Sequence, residues 1–297
     1  EIISGVHYSL KSSKTNIIKT ADIISGYTLK YEPDINQLSY LLDHFIKWAE
    51  SKNASYIRYF PWLPSSIGNV KTSYYAWFDD LMKSKRFKPI DSGRHTYWLD
   101  LTMSEEELLK RMKQQTRYEI KRALKSPLII KHFDFPTDEL FDIFWALYYD
   151  LGKKKGFGTL GKNQFREEFF ALMTSGFATL FVTYCHKIVV NMSLVSNLGR
   201  ASYLYGAINP HFKSIPYCTS PGQIAQWEMI KFIKSKEIDT YDMGFVPGPV
   251  PFKEHPEYSI WRFKYGFGGK HVQYLPTYGR VLKPLRGKLF QILRYKL

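Results

Sequence analysis

The residue pair best suited to chemistry is Phe263 and Lys264, which follow each other in a segment rich in aromatic and basic residues. A lysine ammonium stabilises a developing oxyanion or a phosphate charge, and a phenylalanine ring stacks on a nucleobase. The alternative interpretation is a core phenylalanine beside a surface lysine. The residues alone leave both interpretations open.

Other kinds of reaction have less support. The glycine-rich run 266–270 lacks the Ser or Thr that follows the lysine of a nucleotide-binding phosphate loop. Cys218 is interpreted as a buried structural thiol rather than a nucleophile. The 8 histidines show no His-x-x-x-His spacing, and the pair Cys185 and His186 is interpreted as a strand end. The sequence thus predicts no metal site and no strong nucleophile.

The charge balance favours an anionic partner. The 297 residues carry 42 Lys and Arg against 27 Asp and Glu, a formal net charge of +15. Such a charge suits nucleic acid, a nucleotide or a membrane surface, or else it only keeps the chain soluble. The content of 44% hydrophobic and 17% aromatic residues excludes a disordered chain. With 2 cysteines and no charge-free stretch of about 20 residues, we expect a cytoplasmic protein without a transmembrane span.

Hydrophobic periodicity predicts the elements that position these residues. Helices are predicted at 34–52, 73–85, 137–153, 165–174 and 223–236, and strands at 55–60, 95–101, 128–133, 178–184, 188–195, 201–208 and 240–243. Short turns join the three strands between 178 and 208, which predicts an antiparallel meander. The elements form two units that meet near residue 97. The predicted class is therefore α/β or α+β, with mixed sheets and two packed domains.

One further predicted helix is strongly basic. Ser104 and Glu107 form a capping box that opens a helix extending to about Lys125. Arg117 and Lys121 lie close to one face of this helix. That face either binds an anionic partner or is a solvated surface, and the sequence leaves both interpretations open.

Three groups of segments, taken together, resemble the FemABX family of non-ribosomal aminoacyltransferases that build peptidoglycan cross-bridges. The segments are 97–101 with 105–109 and 117–123, then 226–231 with 241–244, and finally 262–268. The resemblance extends from about Ile24 to the C terminus and points to a compact member without a coiled-coil arm. It implies two acetyltransferase-like (GNAT-type) domains packed side by side.

The same resemblance implies an activity. An amino acid is transferred from aminoacyl-tRNA to an amino group of a muramyl-peptide precursor, either UDP-MurNAc-pentapeptide or lipid II, without coenzyme A or a metal. By the family pattern, Lys264 stabilises charge at the reacting ester, and Phe263 contacts the acceptor end of the tRNA. Lys154 corresponds to a basic residue near the phosphates of the precursor, and Tyr205 lines the precursor cleft.

The predicted domains follow this pattern. Residues 1–96 form the first GNAT-like domain, which is N-terminally incomplete and is completed by a C-terminal helix at 280–297. Residues 97–279 form the second domain. The basic C-terminal helix either packs a leucine stripe that begins at Leu285 on the first domain or contacts the inner face of the membrane. Arg117 and Lys121 are expected to steer tRNA or precursor.

Two other functions remain open. An acyl-coenzyme A N-acyltransferase has the same fold, and the turn from Thr219 to Gly222 is the place where its coenzyme A pyrophosphate would bind. Protection against heat by coenzyme A distinguishes this function. An RNA-binding module that uses the basic helix predicts salt-sensitive RNA binding that survives the loss of Lys264.

Overall fold

The computed structural model describes residues 4–12, 18–29, 35–156, 158–197 and 199–287. The chain divides into two compact units, unit 1 with residues 1–95 and 272–297, and unit 2 with residues 96–271. Both units combine helices with strands that pair in parallel and antiparallel directions. The predicted α/β class with mixed sheets is confirmed.

The bounds of the elements are as follows. The strands are β1 Ser4–Ser12, β2 Lys19–Leu29, β3 Tyr56–Tyr59, β4 Pro64–Ile67, β5 Val70–Lys71, β6 Lys88–Pro89, β7 His95–Asp100, β8 Leu128–Phe133, β9 Ala178–Cys185, β10 Ile188–Ser196, β11 Ala201–Ile208, β12 Thr240–Asp242, β13 Lys270–Tyr274 and β14 Tyr278–Val281. The helices are α1 Ile35–Ser51, α2 Ser73–Ser84, α3 Glu105–Arg111, α4 Gln114–Ala123, α5 Asp138–Lys155, α6 Lys162–Thr174, α7 Pro221–Ser235 and α8 Tyr258–Tyr265.

Unit 1 is built on a five-stranded sheet in the order β1-β2-β3-β14-β6. The pair β2 and β3 is parallel, and the other neighbours are antiparallel. Helices α1 and α2 bury their apolar stripes in the core of this unit. The β1–β2 hairpin was not predicted, because four successive residues of β2, from Thr20 to Ile23, are all buried. A strand buried on both faces lacks the polar-apolar alternation that reveals strands in a sequence.

Unit 2 arranges its strands in the order β7-β12-β11-β10-β9-β8. The predicted meander of β9, β10 and β11 is confirmed. Strands β11 and β12 are parallel, and they pair only at Ala201 with Tyr241 and at Ser202 with Asp242. Beyond these two rows β12 ends while β11 continues to Ile208. The two strands therefore leave an opening, called here the strand opening, between Tyr203 and the residues that follow Asp242.

Two hydrophobic clusters cover opposite faces of the unit 2 sheet. Phe181 of β9 packs with α7 residues, whereas its neighbours Leu180 and Val182 pack with residues of α5 and α6. Successive side chains of a strand point to opposite faces. Helices α4, α7 and α8 therefore lie on one face of the sheet, and α5 and α6 lie on the other.

The prediction of one long basic helix at 104–125 is wrong in one respect. The segment forms two helices, α3 and α4, with a break between them. Met112 and Lys113 are extended, with ψ angles of 151° and 147°. The backbone N–H of Lys113 donates to the carbonyl of Gly266 at 2.8 Å, and the Met112 side chain is buried. The break therefore keeps the start of α4 hydrogen-bonded to the residue that follows α8.

The C-terminal helix predicted at 280–297 begins later than expected. Residues 278–281 form β14, which pairs with β3 and β6, and a helix starts at Pro284. Leu285 is 88% exposed, so the first residue of the predicted leucine stripe does not pack on unit 1. The rest of that helix, residues 288–297, lies outside the described residues.

The capping box at the start of α3 is confirmed and makes a stability prediction. Glu107 N–H donates to Ser104 Oγ at 3.2 Å, and Ser104 N–H donates to Glu107 Oε2 at 2.8 Å. Ser104→Ala is expected to lower the free energy of unfolding by about 1 kcal/mol, measured by urea denaturation. Ser235→Ala, an exposed serine at the end of α7, is the matched control. An equal loss in both variants would contradict the assigned cap.

Candidate active site

Helix α8 carries Phe263 and Lys264 in its last turn and points them to different places. Successive helical residues are about 100° apart. The Phe263 ring packs towards the start of α7, where a Cβ on Gly222 would lie 3.7 Å from it. Lys264 instead enters the core and is 4% exposed. The alternative interpretation of a surface lysine is therefore wrong.

The Lys264 ammonium lies at the strand opening. Its Nζ donates to the carbonyl of Phe245 at 2.9 Å and lies 5.6 Å from the centroid of the Tyr203 ring. A Cβ on Gly244 would lie 3.1 Å from Nζ, and the φ of Gly244 is +76°. The left-handed backbone favours glycine at this position, and any Cβ there would press on Nζ. Gly244 thus allows the ammonium to reach the gap between β11 and β12.

The Lys264 amine is protonated at neutral pH, but its pKa is only slightly higher than that pH. Burial lowers the pKa of its amine to about 8, and the nearby carboxylates of Asp242 and Glu257 act in the opposite direction. An ammonium has three N–H donors, and among the described residues one acceptor, the Phe245 carbonyl, is within hydrogen-bond distance of Nζ. The group is therefore a buried cation with donors left for a substrate oxygen, in surroundings where charge interacts strongly.

Asp242 organises the backbone beside Lys264. Its buried carboxylate accepts from the Thr96 hydroxyl, from Gly244 N–H at 2.8 Å and from Trp98 Nε1–H at 2.9 Å. The Arg200 guanidinium lies 3.8 Å from the same carboxylate and 4.2 Å from the centroid of the Trp98 ring. These bonds fix the turn that carries the Phe245 carbonyl. Asp242 belongs to the segment 241–244 on which the family resemblance rests. Nothing in the sequence pattern indicated that it would organise this network.

A pocket of about 600 Å³ lies between α4, the start of α7 and α8. Its lining combines aromatic rings, two cations, one carboxylate and several neutral polar groups: Lys113, Gln115, Thr116, Glu119, Gln223, Tyr258, Ser259, Trp261, Arg262, Phe263, Tyr265 and Gly266. Phe263 lines the pocket, whereas Lys264 does not. The two adjacent residues of the predicted pair therefore have different places: Phe263 lines the pocket, and Lys264 is a buried cation.

Arg117 and Lys121 lie away from this pocket. Residues four apart share a helix face, so Gln115 and Glu119 face the pocket while Arg117 and Lys121 lie about half a turn away. The Arg117 guanidinium donates to the Met112 carbonyl and so closes the break between α3 and α4. Lys121 is exposed. Arg122 lies one turn beyond Glu119 on α4, and its Nη2 donates to Ser220 Oγ at 3.2 Å.

Tyr205 and Lys154 are on the other face of the unit 2 sheet. The Tyr205 hydroxyl donates to Glu168 Oε1 at 2.8 Å, and its ring packs edge-on to Phe165 and Tyr148. Burial raises the pKa of Tyr205. Lys154 is exposed in the last turn of α5. Among the described residues, no contact joins either side chain to Phe263 or Lys264, so the structure does not bring the four predicted residues together.

The turn proposed for a coenzyme A pyrophosphate is poorly built for an anion. Ser220 has a φ of +52° and makes no cap to α7, and Pro221, the first residue of that helix, has no N–H to donate. The Phe263 ring packs on Gly222. Burial raises the pKa of the Cys218 thiol to about 12, which agrees with a structural cysteine. Within the described residues, no group of three His, Cys, Asp or Glu is placed to hold a metal ion.

Comparison with known proteins agrees with this architecture. A family model for the acetyltransferase (GNAT) domain matches residues 110–254. Among solved structures, FemX superposes with a TM-score of 0.79 and 18% identity, over 99% of this chain and 87% of FemX. The chain thus has the fold of FemX, and residues 110–254 match the model of a GNAT domain. The predicted FemABX resemblance is confirmed at the level of the fold.

Other solved structures share this fold at lower similarity. L-PGS from Bacillus licheniformis has a TM-score of 0.57 and 11% identity over 97% of this chain and 88% of its own. A tandem GNAT protein from the clavulanic acid biosynthesis pathway has a TM-score of 0.54 and 10% identity over 88% of this chain and 75% of its own. No curated protein matched the sequence. Within the described residues, no helix combines the length and apolar character needed to cross a bilayer.

Proposed function

We propose that this protein is a FemABX-type transferase that moves an amino acid from aminoacyl-tRNA to an amino group of a peptidoglycan precursor. The observation that carries the proposal is the Lys264 ammonium, buried at the strand opening of a GNAT domain with donors to spare. The fold shared with FemX and the net charge of +15 support it, because both substrates are polyanions.

The proposed reaction needs little from the enzyme beyond position and charge. The neutral acceptor amine attacks the ester carbonyl of the aminoacyl-tRNA and forms a tetrahedral oxyanion, which Lys264 stabilises. Collapse of this intermediate forms the amide bond and breaks the ester bond. The ribose hydroxyl of the tRNA leaves with a proton derived from the amine. Because an ester is already activated, no enzyme nucleophile is required.

The pocket beside Phe263 is proposed to receive the acceptor end of the tRNA. Aromatic side chains such as Phe263 and Tyr258 offer stacking surfaces for a base, and Lys113 and Arg262 supply positive charge for phosphates. Lys121 and Arg117 are proposed to attract the tRNA at longer range. Lys154 and Tyr205 are proposed to contact the precursor on the other face of the sheet. Such substrates place the protein in the cytoplasm, with peripheral contact at the inner membrane face.

A GNAT N-acyltransferase that uses acyl-coenzyme A is the second candidate. The GNAT family match to residues 110–254 favours it. Against it, the Lys264 ammonium lies at the strand opening, and the start of α7 has a proline in place of an N–H donor. Coenzyme A that raises the melting temperature would favour this candidate.

The test is a transfer assay with a radiolabelled aminoacyl-tRNA pool and either UDP-MurNAc-pentapeptide or lipid II as acceptor. Parallel reactions replace the tRNA pool with radiolabelled acetyl-coenzyme A. We expect label on a muramyl precursor only when aminoacyl-tRNA is the donor. Label that arrives only from acetyl-coenzyme A, or no label on either precursor, would contradict the proposed function.

A further inference from the structure

Glu119 brings a negative charge into a pocket that otherwise suits an anion. Its half-buried carboxylate is the one acidic group among the described residues that line the pocket. The phosphates of an RNA acceptor end would be repelled by this charge. A carboxylate at this place therefore suits a part of the ligand that is positively charged.

The Glu119 carboxylate is held in a fixed position by neutral groups. Gln115 Nε2 donates to Oε1 at 2.9 Å, and Gln223 Nε2 donates to Oε2 at 2.8 Å. Across the described residues, no Lys, Arg or His side chain lies within ion-pair distance of it. Its neighbour Arg122, one turn further along α4, donates to Ser220 instead. The two amides orient the carboxylate but leave its charge uncompensated, and a carboxylate has acceptor sites for more than two donors.

The acceptor end of an aminoacyl-tRNA carries one cation that is present for every amino acid, the α-ammonium group of the ester. We propose that Glu119 binds this α-ammonium group and thereby selects donors whose amino group is free. This inference rests on the proposed function. It requires the ester group, which joins the amino acid to the terminal nucleotide, to reach from Glu119 towards Lys264. The charged hydrogen bond between the two groups supplies the selectivity.

The test measures binding of two RNA minihelices that differ in one group. One ends in alanine attached through a hydrolysis-resistant 3′-amide, and the other ends in lactate attached in the same way. At about pH 6.5 the alanyl amino group is protonated, whereas the lactoyl hydroxyl is neutral. Wild-type protein is expected to bind the alanyl minihelix at least about 10-fold more tightly. Glu119→Gln, which keeps the shape and removes the charge, is expected to bind both alike.

The control variant is Glu105→Gln, which removes an exposed carboxylate from α3 and is expected to keep the wild-type preference. Equal binding of the two minihelices by the wild type, or a preference that persists in Glu119→Gln, overturns the inference. Binding of neither minihelix overturns it as well. The transfer assay with the aminoacyl-tRNA pool is independent of this result, so transfer without selectivity leaves the proposed function standing while the role of Glu119 fails.

Discussion

Lys264→Met is expected to lower the rate of amino acid transfer by about 10²- to 10³-fold, the usual effect of removing one group that stabilises an oxyanion. Methionine has nearly the length of lysine and no charge, so it fills the same space between Tyr203 and the Phe245 carbonyl. The loss is expected in the maximal rate at saturating donor and acceptor, because Lys264 does not line the pocket proposed for the tRNA. Steady-state kinetics with the radiolabelled pool measure it.

The same variant is expected not to lose stability. Burial lowers the pKa of Lys264 from 10.5 to about 8, which corresponds to a cost on the order of 3 kcal/mol for holding the charge at neutral pH. This cost is fully present below pH 8 and is relieved as the pH rises towards 10.5, because the folded protein loses the proton first. Methionine removes the cost at every pH.

The control for Lys264→Met is Lys213→Met, which removes one exposed positive charge from unit 2. It is expected to keep the transfer rate and the melting temperature of the wild type. A Lys264→Met protein that transfers amino acid at the wild-type rate would contradict the assigned role. A fall in melting temperature that accompanies the loss of activity would instead indicate that Lys264 holds the fold together.

Asp242→Asn is expected to change the pH dependence of the reaction. Lys264 must be protonated to stabilise an oxyanion, whereas the acceptor amine must be neutral to attack. The transfer rate divided by the neutral fraction of the acceptor amine is therefore expected to fall as the pH rises through about 8, the pKa of the Lys264 amine. The Asp242 carboxylate raises the pKa of Lys264, and its removal lowers that pKa further. The decline in rate therefore moves to lower pH, and the rate at pH 7 falls with it.

The residues around the Lys264 ammonium supply a control variant for this prediction. Asp242 lies on β12, Glu257 precedes α8, and Tyr203 lies on β11. The Arg200 guanidinium lies 3.8 Å from the Asp242 carboxylate. Glu257 is exposed, so solvent weakens its field. Glu257→Gln is expected to move the decline in the same direction by a smaller amount. A uniform loss of rate in Asp242→Asn with an unchanged pH profile would show that Asp242 only holds the turn at Gly244.

The sequence predicted best those features that local patterns determine. The meander at 178–208 follows from alternating apolar runs and short turns, and the capping box follows from the spacing of Ser104 and Glu107. The pairing of Phe263 with Lys264 as the residues of interest came from their chemistry and from the family resemblance. None of these depends on which distant segments come together.

The features that the sequence did not reveal depend on tertiary contacts. The break at Met112 arises because Lys113 bonds to Gly266, more than 150 residues away in the chain. Lys264 is buried beside Gly244 and Phe245, and residues of distant segments surround it. The pocket side of α4 carries Glu119 and not the cations that charge counting favoured. A helix pattern shows which residues share a face but not which face meets a ligand.

The most direct test of the account is the mass of the muramyl precursor after incubation with the protein and an aminoacyl-tRNA pool. We expect the precursor to gain the mass of one aminoacyl residue, with fragmentation placing it on an amino group of the stem peptide. The gain is expected to disappear when ribonuclease destroys the tRNA and to be strongly reduced with Lys264→Met. A precursor that keeps its mass with the wild-type protein, from UDP-linked and lipid-linked forms alike, would contradict the central claim.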